Sequence, residues 1–204
     1  MKPLLILASG SPRRQELLAQ AGYRFEIAPS SVTEQRLPSE EAIHLATRLA
    51  REKAEEVFAR RQKAVGASLM VLGADTVVVC DAEIMGKPAD AQDATRMLSL
   101  LSGRSHHVVT GVAVVWAPGS AEIAAEVTQV TMRTLSVHEI AAYVAGGEPM
   151  DKAGAYAIQG FAGRWIPHIS GCYFNVVGLP LALVDSLLEA AETRLAALRP
   201  TPQT

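Results

Sequence analysis

An apolar run, Leu4-Leu5-Ile6-Leu7-Ala8, passes directly into Ser9-Gly10-Ser11-Pro12-Arg13-Arg14. So short an apolar run, ended by small polar residues, predicts a buried strand over 3–8. Pro12 suits the first position of a helix, with Ser11 as its cap and Gly22 as its stop. Leu17, Leu18 and Ala21 make the inward stripe of that helix. A chain that opens as strand, tight turn and helix must layer helix on sheet.

The same turn concentrates polar chemistry. A helix N-terminus leaves backbone N–H groups unpaired and carries a partial positive charge. Two hydroxyls and two guanidiniums there form an anion site suited to phosphate, or a capped surface helix with solvated arginines. The turn is not a Walker A loop, because G-x-x-x-x-G-K-[ST] does not occur.

Further along, the spacing predicts a long helix from Ser39 to Arg61, with Ile43, Ala46, Ala50, Ala54 and Val57 on one side. Lys53 falls beside that stripe, an odd place for a charge. A strand is predicted at 69–73, then Ala74-Asp75-Thr76, a second apolar run at 77–80, and a turn over Asp81-Ala82-Glu83. A helix over 90–101 closes at Gly103. Residues 106–116 and 122–133 pair as a hairpin around Pro118-Gly119-Ser120. Ser136-Val137-His138-Glu139 reads as a capping box, opening a helix that stops at Gly146-Gly147. A loop with short strands follows, then a final helix from Pro180 through Leu195, with residues 199–204 as a flexible tail. The hairpin makes the sheet mixed rather than purely parallel, within one domain over 1–198.

Two more segments can carry chemistry. Asp75 sits where a strand is expected to leave the core, so it either meets a cation or hydrogen-bonds its own turn. Gly86-Lys87-Pro88 holds a lysine between rigid neighbours. In Asp151-Lys152-Ala153-Gly154-Ala155-Tyr156-Ala157-Ile158-Gln159-Gly160, small residues admit a flat ligand, and Gln159 offers both a donor and an acceptor. A plain glycine-rich strand and loop is the competing reading.

Composition excludes several classes. Nineteen Lys plus Arg against 21 Asp plus Glu leave a formal charge of −2, unlike a basic nucleic-acid coat or a polybasic membrane binder. Aromatics at 5% are too few for single-strand stacking platforms. The cysteines, Cys80 and Cys172, have no zinc or C-x-x-C spacing and are expected as reduced thiols in a cytoplasmic protein. His106 and His107 alternate on a strand and cannot share a metal. Without G-x-S-x-G, a nucleophile elbow is disfavoured.

Together the motifs resemble the Maf family. Ala8-Ser9-Gly10-Ser11-Pro12-Arg13-Arg14-Gln15-Glu16-Leu17-Leu18 is similar to its opening signature. Gly73-Ala74-Asp75-Thr76-Val77, Gly86-Lys87-Pro88, Ser102-Gly103 and His107-Val108-Val109-Thr110-Gly111-Val112 follow in family order. The run closes with the 151–160 segment and Asn175-Val176-Val177-Gly178-Leu179-Pro180. The resemblance implies a Maf/Ham1-type α/β fold, an elongated mixed sheet flanked by helices with a cleft between two lobes. It also implies hydrolysis of nucleoside triphosphates to the monophosphate plus pyrophosphate, assisted by a divalent cation, Mg2+ or Mn2+.

By the same resemblance, Asp75, Glu34, Lys53 and Lys87 are catalytic, with Asp75 and Glu34 holding the metal. Ser9, Arg13 and Arg14 grip the phosphates. Arg13, Thr76 and Gln159 match the dTTP/UTP branch rather than the 7-methyl-GTP branch or an ITP/XTP enzyme. Where the family often has an aspartate before the glutamate, this chain has Thr33. Four cations plus a metal are adequate for the roughly four negative charges of a nucleoside triphosphate. A homodimer is expected, as similar proteins often pair, with no nucleic acid or membrane as partner. The competing class is a nucleotide-binding regulator of cell division without turnover.

Overall fold

Leu4–Leu7 forms strand β1, and its apolar side chains run from half-buried to fully buried along its length. The structure is a computed structural model and describes residues 3–65 and 68–197, so the expected tail at 199–204 lies outside the described residues. After β1 come α1 (Pro12–Gln20), β2 (Glu26–Ile27), α2 (Ala42–Val65), β3 (Leu69–Cys80), β4 (Glu83–Met85) and α3 (Ala91–Leu101). The chain continues through β5 (Ser105–Ala117), β6 (Ser120–Thr131), α4 (Val137–Ala145), β7 (His168–Ser170), α5 (Tyr173–Val177) and α6 (Leu181–Ala197). Three 3₁₀ segments, Glu148–Asp151, Ala153–Ala155 and Phe161–Trp165, separate α4 from β7.

Among the described residues the sheet has seven strands in the order β2-β1-β3-β5-β6-β7, with β4 on β3. Strand β1 runs parallel to β2 and β3, whereas β3 with β4 and β6 with β7 are antiparallel. The mixed α/β architecture expected from the hairpin is therefore the one observed. No described helix is long and apolar enough to cross a membrane.

The described chain divides into two compact units. The first takes the chain up to Asp75, then Gly111–Ala125, and everything from Leu179 on. Its core sets Ile6, Val71 and Val115 from the sheet against Ala54, Val57 and Phe58 of α2. Ala46, Ala50, Ala54 and Val57 are buried as the helical spacing requires, but Ile43 is 48% exposed because it sits in the first turn. Ala21 is exposed too, since α1 has already ended and Ala21 caps it. Helix α2 lies directly on the sheet. A Cβ at Gly73 would stand 2.1 Å from the Ala50 carbonyl oxygen, and one at Gly111 would stand 2.3 Å from that of Ala46.

The second unit comprises Thr76–Thr110 and Glu126–Gly178. Its core gathers Leu98 and Leu101 of α3, Ile140 and Tyr143 of α4, Met132, Tyr156 and the fully buried Trp165. Helix α4 opens on the predicted capping box: Ser136 accepts from the Glu139 amide, and Glu139 accepts from that of Ser136.

Two expectations change. The strand does not leave the core at Asp75; β3 runs unbroken from Leu69 to Cys80. The Asp81–Glu83 turn is tighter than predicted. Asp81 takes φ 53°, and Glu83 already pairs with Cys80 as the start of β4.

Candidate functional site

Parallel pairing sets the site. Leu7 lies opposite Leu72, and the Ala8 N–H donates to the Leu72 carbonyl at 2.8 Å, so β1 and β3 end their shared ladder together. The Ser9 turn is thereby delivered to the Gly73–Asp75 stretch of β3, at the carboxyl end of a parallel pair, where α/β proteins place ligands. The Ser9 hydroxyl, not Ser11, serves the turn. Ser11 makes no side-chain cap bond, and its own N–H donates to Ser9 Oγ at 3.2 Å. Arg14 donates to Ser9 Oγ at 3.4 Å and to the Ala74 carbonyl at 2.7 Å, which ties the first turn of α1 to the residue before Asp75. Burial pulls the Arg14 pKa down; Asp75 and Glu34 oppose that fall, and Arg13 adds to it.

Lys53 explains its odd place on α2. Its Nζ donates to Asp75 Oδ1 at 2.6 Å and to Glu34 Oε1 at 2.5 Å. Lys53 and Asp75 are only 7% and 6% exposed, whereas Glu34 is on the surface. A buried carboxylate without a partner would be strongly destabilising, and the ammonium is what lets β3 continue through Asp75. Burial still raises the Asp75 pKa, against the lowering by Lys53 and Arg14 and with a further push from Glu34.

Six of the predicted residues thus share the first unit: Ser9, Arg13, Arg14, Glu34, Lys53 and Asp75. The other three belong to the second. Thr76 Oγ1 lies 2.9 Å from Thr110 Oγ1, and Thr110 in turn donates to the Asn175 carbonyl at 3.4 Å. Lys87 is exposed and follows Gly86, whose carbonyl accepts from the Gly154 N–H at 3.0 Å. Gln159 is exposed on a turn closed by the Gly160 N–H donating to the Ala157 carbonyl at 3.1 Å.

Among the described residues no group of three or more His, Cys, Asp or Glu could hold a metal. Asp75 and Glu34 nevertheless form a suitable pair for a hard cation. Both are carboxylates gathered on one ammonium, each has two oxygens, and divalent cations of phosphate chemistry need only one or two such ligands beside substrate and water.

Sequence reasoning missed the Ala74 carbonyl, a backbone contact that no residue type announces. It also missed the network of Asn175, Thr110 and Thr128, all fully buried. An asparagine between Phe174 and Val176-Val177 was the available signal.

A family model described as Maf-like protein matches residues 4–191. The dTTP/UTP pyrophosphatase of Koribacter versatilis is 48% identical over 92% of this chain and 94% of its own. That of Geobacter sulfurreducens is 51% identical over 90% and 94%, and that of Escherichia coli O157:H7 is 50% identical over 90% and 91%. Among solved structures, a nucleoside-triphosphatase / dITP/XTP pyrophosphatase from Mycobacterium abscessus aligns over 98% of both chains at 16% identity, with a TM-score of 0.43.

Proposed function

Because the chain belongs to the Maf family, we propose that it hydrolyses nucleoside triphosphates, dTTP and UTP foremost, to the monophosphate and pyrophosphate. The observation that carries this reading is the Lys53 ammonium held between Asp75 and Glu34, beside the Arg14 that grips Ala74. Release of pyrophosphate requires water to attack the α-phosphorus and the α–β bridging oxygen to leave with the two outer phosphates. That chemistry is mainly positioning and charge neutralisation. Arg13 and Arg14, on the first turn of α1, supply charge and directed N–H donors to phosphate oxygens, and Ser9 orders the turn beneath them. Asp75, ionised, accepts the proton of the attacking water, and Lys53 keeps that carboxylate charged and oriented.

Asp75 and Glu34 would hold a divalent cation, Mg2+ or Mn2+, which when bound neutralises phosphate charge and orients water. Lys87 is assigned to the phosphates, and Thr76 and Gln159, with Arg13, to the choice of base, on the family resemblance. A homodimer rests on that resemblance alone, and a cytoplasmic setting on the two cysteines without disulfide or zinc spacing.

The test is pyrophosphate release from dTTP, UTP, CTP, ITP and 7-methyl-GTP, with and without a divalent metal. Metal-dependent release from dTTP and UTP is expected. Preference for ITP or 7-methyl-GTP would keep the chemistry and overturn the assigned base choice. Binding across the panel without turnover would make the protein a nucleotide-binding regulator instead.

A further inference from the structure

We propose that Glu148 is a positioning residue for base choice, its carboxylate holding in place the Ala157–Gly160 turn that presents Gln159. The inference rests on the reading of Gln159 as a base-facing residue. Glu148 opens a 3₁₀ segment directly after Gly147, which takes φ 76° and turns the chain out of α4. Its two carboxylate oxygens both act as acceptors. The Tyr143 hydroxyl donates to Oε1 at 3.0 Å, and the Phe161 N–H donates to Oε2 at 3.4 Å. The backbone of Glu148 is fixed as well, because Lys152 Nζ donates to its carbonyl at 2.5 Å.

Between those contacts lies Gly160. A Cβ there would stand 1.9 Å from Glu148 Oε1, so the carboxylate occupies the space a side chain would need. On the other side of the turn, a Cβ at Gly163 would stand 2.4 Å from the Ile158 carbonyl oxygen. The turn is therefore held between the Gly163 backbone and the Glu148 carboxylate, with Gln159 at its third position. The support behind Glu148 is rigid. Tyr143 is buried and packs edge-on to Trp165 at 4.9 Å and stacked on Phe161 at 5.9 Å. None of these contacts involves the charged cluster of Lys53 and Asp75, so Glu148 bears on which base is accepted and not on the chemical step.

The experiment measures kcat and KM for UTP and CTP in the wild type, Glu148→Ala, Glu148→Gln, Gln159→Ala and the Glu148→Ala/Gln159→Ala double variant. Gln159→Ala and Glu148→Ala are each expected to lower the UTP-over-CTP ratio of kcat/KM about tenfold through KM for UTP, with kcat within about twofold. Glu148→Gln keeps one acceptor oxygen and should lose only about threefold. The double variant should match Gln159→Ala alone, since one residue acts through the other.

An unchanged ratio in Glu148→Ala, or additive losses in the double variant, overturns the inference while leaving the role of Gln159 standing. An unchanged ratio in Gln159→Ala removes the base-facing reading, and the inference falls with it. Should Glu148→Ala fail to fold, Gly160→Ala pushes on the same contact from the turn's side. It is expected to give the same loss, and a preserved ratio there overturns the inference.

Discussion

The two units bury different kinds of polarity. The first buries Ser9, Lys53 and Asp75, two of them ionisable with opposite charges and bonded to each other. The second buries His106, Thr110, Thr128 and Asn175. There the Asn175 amide donates to the Val108 carbonyl at 2.9 Å and to Thr128 at 3.0 Å, and His106 Nε2 lies 2.7 Å from the Tyr156 hydroxyl. A buried ion pair is costly to desolvate and strands the carboxylate when its ammonium is lost, whereas a neutral network costs less and fixes geometry, even with Asn175 Oδ1 and His106 Nδ1 left without a partner. One unit is therefore sensitive to charge and the other to shape and hydrogen-bond direction.

The largest expected effect comes from neutralising the charged unit. Asp75→Asn keeps the shape of the side chain and leaves the Lys53 ammonium paired with Glu34, so it should cut pyrophosphate release about 10³-fold with little change in the thermal midpoint. A rate within tenfold of the wild type would end the role given to Asp75. Next, Lys53→Met strands a buried carboxylate and should lower the unfolding free energy by about 3 kcal/mol in a urea titration at neutral pH.

The pH dependence of that variant has a definite sign. Because burial holds the Asp75 pKa above its unfolded value, folding takes up a proton. Stability from this group should rise as pH falls from neutral toward the ordinary aspartate range, and more steeply without Lys53. A flatter profile than the wild type's would contradict the ammonium's role.

The smallest effect tests the neutral unit by importing a charge. Burial, with His107 adding to it, pulls the His106 pKa down to about 4, so the ring is neutral when folded. Its depressed pKa means that stability present above the unfolded value of about 6.5 is lost as pH falls toward 4. Between pH 7 and 5.5 the loss should be about 1 kcal/mol, read as the difference in urea midpoint shifts between the wild type and His106→Gln. Identical shifts in the two proteins would show that His106 is not held neutral.

Local signals made much of the fold legible. Pro12 after a short apolar run marked α1, the Ser136–Glu139 pair marked α4, and Pro118-Gly119 marked the turn between β5 and β6. Lys53 stood out as a charge beside an alanine stripe, yet its partners, Glu34 and Asp75, lie 19 and 22 residues away and no helical period reports them. For the same reason Asp75 looked like the end of a strand: a carboxylate within β3 is tolerable only with an ammonium from another element. The 3₁₀ segments of 148–165 are set by side chains such as Glu148 meeting a distant turn. Short-range patterns do not encode such meetings.

Gly73 and Gly111 carry a consequence for how this protein tolerates mutation. They sit on β3 and β5, where the α2 backbone presses onto the sheet at Ala50 and Ala46. Gly73 shares a strand face with Asp75 two residues on, and Ala50 is one helical turn from Lys53. Any side chain at either glycine would lift the helix and draw the ammonium away from its carboxylate. A mutational scan scored on turnover would rank these two positions with Lys53 and Asp75, although neither carries a side chain. The same scan scored on abundance would separate them from Asp75, because lifting α2 unfolds the unit that Asp75→Asn leaves intact.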